Sequence, residues 1–174
     1  MGKIHKFSQL YDGAEDRIAW LTEDVDGATT KLWFTQRLCR NFVKALVPIL
    51  EKSQGEEAPQ EHKAVVQSWE QAAAMAEFGK TPPVTPRAET VAGVVRNINI
   101  QPSGDGLVFA FDYGAEAPLV LALRLTETRQ MLTVLSRMHA AAGWPGGAFP
   151  AWIDGPVAEP EEPGAKPTGK RALN

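Results

Sequence analysis

A strand–strand–helix pattern occurs twice in this chain, and it limits the folds open to it. The first copy runs from residue 17 to about residue 50, the second from about residue 91 to residue 143. Each last strand ends on an apolar–Thr pair, Phe34-Thr35 and Leu125-Thr126, and leads straight into an amphipathic stretch. A strand or helix with one apolar face must bury it against another element. Two such units therefore predict an α+β fold, with one antiparallel sheet carrying its helices on one face.

In the first copy, residues 17–22 read as a strand and Asp24-Val25-Asp26-Gly27 as the turn, where glycine tolerates positive φ. Residues 31–35 return. Leu32 and Phe34 share one face by the two-residue period, with Ile18 and Trp20 on the matching face and Trp33 pointing the other way. Thr35 is placed to cap the following helix with its hydroxyl. Leu38, Phe42, Leu46 and Ile49 or Leu50 recur at helical spacing, with Cys39 and Val43 beside them, and Pro48 should bend or end the helix. After a polar connector over residues 53–59, a second helix is expected from about Gln60 to Phe78. Its expected buried stripe is Val65, Trp69, Ala72, Ala73 and Ala76, and Gly79 stops it. Residues 80–86 carry three prolines and read as an extended crossing segment.

Three strands are expected next, over residues 90–100, 107–113 and 118–125. Phe109, Phe111, Leu121 and Leu123 alternate cleanly and should be core. A third helix, opened by Thr126, carries the stripe Met131, Leu132, Leu135 and Met138, and Gly143 and Pro145 end it. The expected organisation is thus an N-terminal segment (1–16) anchored by Phe7, Leu10 and Tyr11, and a single α+β domain (17–143). That domain holds an antiparallel sheet of about five strands with three helices on one face. A Pro/Gly/aromatic arm and acidic tail (144–174) follow. The residue-level match between the two copies is thin, so duplication and plain reuse of an economical unit both stay open.

Composition narrows the function classes. A net charge of −3 argues against nucleic acid as the main partner, because phosphate binding needs a dense basic surface. No run of 18 apolar residues is present, so no membrane span is expected. No apolar stretch follows the basic N-terminus, so no secretory signal is read, and Lys6 breaks the myristoylation pattern that Gly2 opens. One cysteine excludes an internal disulfide and fits a cytoplasmic address. The Ala/Gly/Pro/Arg bias is bacterial in style.

No residue set carries a catalytic motif, and no cofactor or metal is implied. Asp24 and Asp26 before Gly27 faintly match the start of a calcium loop, but Trp33 stands where its closing glutamate belongs; a hairpin turn is the reading adopted. Cys39, between Arg37 and Arg40, has a nucleophile's basic flanks but borders the apolar stripe, and a core residue is the reading adopted. His139 suits the helix C-terminus, where positive charge meets the dipole. The glycines of Ser103-Gly104-Asp105-Gly106 lie between strands and cannot offer helix-terminal amides to phosphate.

Two surface features remain. Arg37, Arg40 and Lys44 form a basic stripe on the first helix, suited to an acidic partner or simply to solvent. Trp144, Phe149 and Trp152 lie in a stretch too rich in Pro and Gly for regular structure. They must either fold back on the body or dock elsewhere as interface anchors. The leading expectation is a non-enzymatic accessory or assembly subunit, binding another protein or a second copy of itself through these residues. The alternative is a small-molecule-binding module or small enzyme with a pocket between sheet and helices.

Overall fold

The computed structural model describes residues 2–52, 60–79 and 81–155. The expected connector, Lys80 and the acidic tail lie outside them. Element order is β1 (Gly2–Asp12), β2 (Arg17–Asp24), β3 (Thr29–Phe34), α1 (Gln36–Lys52), α2 (Gln60–Ala76), β4 (Val91–Val94), β5 (Asn97–Ser103), β6 (Gly106–Asp112), β7 (Leu119–Arg124) and α3 (Leu125–Ala141). A single 3-10 turn, Ala151–Asp154, closes the series.

The sheet corrects the expectation of about five antiparallel strands. It has seven strands in the order β4-β3-β2-β1-β7-β6-β5, and it is mixed. The hairpins β1–β2, β2–β3, β5–β6 and β6–β7 are antiparallel, while β1 pairs with β7 and β3 with β4 in parallel. Both parallel joins link strands remote in sequence, so no local turn chemistry announces them. The extra strands have plain origins. The N-terminal segment, given no strand in the sequence reading, holds the long strand β1, whose register against β2 shifts between Ile4 and Lys6. That bulge at His5 breaks the two-residue period by which a strand is recognised. The expected single strand over residues 90–100 is two, because the chain bends at Val95 and Arg96.

That bend shapes the whole sheet. The two outermost strands, β4 and β5, are consecutive in the chain. The Val95 amide donates to the Trp33 carbonyl on β3, and the next amide, of Arg96, donates to the Asp112 carbonyl on β6. Neighbouring residues thus hold opposite ends of the sheet, which must curl into a half-barrel. Gly93 permits the approach. A Cβ there would meet the Tyr113 side chain at 2.6 Å and its carbonyl oxygen at 2.9 Å.

The concave side is filled by Ile18, Trp20, Leu32 and Phe34 from the first half and Phe109, Phe111 and Leu121 from the second. Cys39, Phe42 and Leu46 of α1 and Met131, Leu132 and Leu135 of α3 pack against them. Trp20 sits at the centre, stacked between Phe7 and Phe34 and edge-on to Phe111. Helix α1 starts as expected, with the Thr35 hydroxyl accepting from the Leu38 amide at 3.2 Å, but it continues through Pro48 to Lys52. Helix α3 starts one residue before Thr126, at Leu125, with Arg124 as its cap. The proline-rich segment is extended, as read. Val84 is buried from it and donates its amide to the Ser8 hydroxyl at 2.8 Å. Ser8 pairs with Leu21, and neither Leu21 nor Val84 belongs to the main core cluster, so this segment shields the opposite face of β1 and β2.

Helix α2 is turned the other way from expectation. Trp69 is 56% exposed and Ala72, Ala73 and Ala76 face solvent, whereas Ser68 and Gln71 are buried beside Val65 and Ala74. Hydrogen bonding decides the orientation. Gln71 Nε2 donates to Thr133 Oγ1 and the Arg129 carbonyl of α3, and the buried Arg129 guanidinium donates to Gln67 Oε1 at 2.6 Å and pairs with Glu70. Burial lowers the pKa of Arg129, and Glu70 opposes that shift.

Candidate functional site

Among the described residues, the parallel join of β1 and β7 is the seam of the sheet with the least pairing. It is pinned at one end alone, by Gly2 with Leu119 and Lys3 with Val120. The pinch is built on glycine, since a Cβ on Gly2 would meet the Leu119 side chain at 2.7 Å. Beyond it the ladder stops, where β1 carries its bulge between Ile4 and Lys6. β7 is six residues long and turns directly into α3 at Leu125, while β1 runs on to Asp12. No ladder among the described residues joins residues 4–9 to residues 121–123, so strand edges there face an opening rather than each other.

The opening is a cleft of about 750 Å³, within the range of ligand sites. One side is the β1 edge over residues 4–9, the other Leu121, Ala122 and Leu123. Helix α3 borders it with Glu127, Gln130, Met131 and Val134, and Phe78, Thr81 and Pro83 flank the mouth. Most of this lining is apolar. Three of its polar side chains are engaged within the fold. Glu127 Oε2 accepts from the Arg124 amide at 2.9 Å and Oε1 from the Arg124 guanidinium at 3.2 Å, Gln130 donates to the Ala74 carbonyl, and Ser8 holds Val84. Two are not. Lys6 makes no ion pair among the described residues, and the Gln9 carboxamide is sequestered with neither end hydrogen-bonded. An unmet buried polar group costs about 1–3 kcal/mol, which a ligand with donors and acceptors would relieve.

None of the six residues singled out from the sequence borders this cleft. Arg37, Arg40 and Lys44 are all exposed on α1, as a stripe should be. The aromatic arm lies on the chain's own body. Trp144 is 9% exposed and donates Nε1 to Asp16 at 3.0 Å; Trp152 is 3% exposed and donates to Glu51 at 3.0 Å. Phe149 is half-buried, its ring edge-on to His139 at 5.2 Å between centroids. Folding back is therefore the alternative the structure takes for the two tryptophans.

The other chemistry-bearing residues are structural. Cys39 is fully buried, and desolvation pushes its thiol up to about 12, far from a thiolate nucleophile. Asp24 closes the first turn by accepting from the Asp26 and Ala28 amides, so its carboxylate serves the hairpin. No cluster of three metal-binding side chains exists among the described residues, and no described helix is long and apolar enough to cross a membrane. What sequence reasoning missed is the cleft itself. Its one legible signal was the apolar pair Ile4 and Phe7, three apart, which share a face only because of the bulge between them.

The chain matches no family model, no curated protein and no solved structure.

Proposed function

We propose that this protein is a non-catalytic binding module that receives an extended segment of a partner protein along the free edge of β1. The observation that carries the reading is the parted seam: strands β1 and β7 are held together at two residue pairs and then leave an apolar cleft between strand edges without ladder partners. Strand addition satisfies such an edge through main-chain hydrogen bonds, while alternate side chains enter the apolar lining. An incoming chain also brings the amides and carbonyls that the Gln9 carboxamide lacks. Residues 4–9 offer about 20 Å of edge at about 3.3 Å per residue, enough for a peptide of five or six residues.

The alternative of a small apolar ligand is favoured by one observation, that the same cleft lies between the sheet and α3. One experiment separates the two. The full chain, labelled with ¹⁵N, is titrated with a six-residue peptide of alternating valine and threonine, and separately with a medium-chain fatty acid. Strand addition predicts peptide-induced shifts at residues 4–9 and 121–123, with new amide protection along β1. Shifts at these residues from the fatty acid alone would favour the small-ligand reading. Silence of the cleft toward both would overturn the site.

A further inference from the structure

We infer that the segment received in the cleft is acidic at a position facing Lys6 and apolar at every second residue. This rests on the strand-addition reading above and gives its partner a chemistry. A segment lying beside β1 presents alternate side chains to opposite faces. On the concave side it meets Leu121, Leu123, Met131 and Val134, an apolar wall in which an unpaired charge would be desolvated without compensation. Phe7 stacks on Trp20 in the core, so by alternation Lys6 and Ser8 belong to the opposite face, where Ser8 meets Val84.

Charge on the lining is uneven once its internal pairs are removed. Glu127 is occupied by Arg124 through two hydrogen bonds, one of them an ion pair. Gln130 is tied to the Ala74 carbonyl. That leaves Lys6, next to the bulge, as the unengaged cation of the cleft. A carboxylate on the outward face of the incoming strand pairs with Lys6, whereas a lysine there meets like charge. The apolar residues supply affinity and the acidic one sets preference.

The test uses the full chain and two probes of equal length. Both are six-residue peptides of alternating valine and threonine, one with a central threonine changed to glutamate, the other with it changed to lysine. Binding is followed by amide shifts at residues 4–9 and 121–123. The glutamate peptide should bind about threefold more tightly, the size of effect one partly exposed ion pair supplies. The preference should shrink at 1 M salt, where screening acts within about 3 Å, and should reverse in Lys6→Glu. Equal affinity of the two peptides, or a preference that Lys6→Glu leaves intact, would overturn the acidic assignment while the strand site stands. Absence of cleft shifts with both peptides would remove the strand reading and this inference together.

Discussion

Single residues show most sharply where local pattern was a sound guide. Cys39, Phe42 and Leu46 are buried where helical spacing put them, and Phe109, Phe111 and Leu121 where alternation put them. Leu123 is the informative departure. It is half-buried because it stands at the cleft, where its strand has no ladder partner on the β1 side. His139 departs further. Instead of a solvated cation at the helix end it is 1% exposed, edge-on to Trp144 and Phe149, with neither ring nitrogen hydrogen-bonded. Burial lowers its pKa below the ordinary 6.5, and the Trp144 backbone only partly offsets this. The folded state therefore favours neutral imidazole, and the unfolded chain takes up a proton first as pH falls. Stability tied to His139 is complete above about pH 6.5 and is lost as pH drops below that value toward the folded pKa. Melting temperatures between pH 7.5 and 5 should fall more steeply for the wild type than for His139→Phe, and parallel slopes would count against this assignment.

At the scale of elements, the hairpins and two of the helices were readable because their signals are local: an Asp-Gly turn, a Thr cap, a stripe at helical spacing. The misread elements are those whose partners lie far away in the chain. β1 hid behind its bulge, and the bend at Val95 and Arg96 hid the division between β4 and β5. Helix α2 was assigned its apolar stripe as the buried face, but its buried side is set by Gln67 and Gln71, whose partners Arg129 and Thr133 on α3 each lie 62 residues away in the chain. Polar burial of this kind stabilises only when matched, so it cannot be read from one helix alone. Arg129→Ala leaves Gln67 and Glu70 without that guanidinium and should cost about 1–3 kcal/mol. Hydrogen exchange would locate the loss: α2 amides should open first, and uniform acceleration across the sheet would show that Arg129 supports the whole fold instead.

For the whole molecule, the two halves make one core rather than a body with an appendage. Each half is a three-stranded meander ending in a helix, β1-β2-β3-α1 and the bent β4/β5 followed by β6-β7-α3, and the parallel joins β1–β7 and β3–β4 exchange places when the halves are swapped. The sequence suggested a repeated strand–strand–helix unit, whereas each half has three strands; the closure of the sheet was not legible, since it depends on one bend and on Gly93. The arm belongs to this core through Trp144, Trp152 and Ile153. Ending the chain at Gly143 removes all three, each a loss of about 2–5 kcal/mol by analogy with large-to-small core changes, against a total stability of about 5–15 kcal/mol for an ordinary domain. The truncated chain should therefore lose its cooperative melt, and retention of a wild-type melt would show the arm to be peripheral. The central claim, an open seam awaiting a strand, is tested most directly by residue-resolved hydrogen exchange on free protein. Over residues 4–9, alternate amides that face β2 should be protected, and those that face the seam should exchange quickly until the alternating peptide is added. Equal protection of both sets in the free protein would mean that the seam is closed, and would contradict the account.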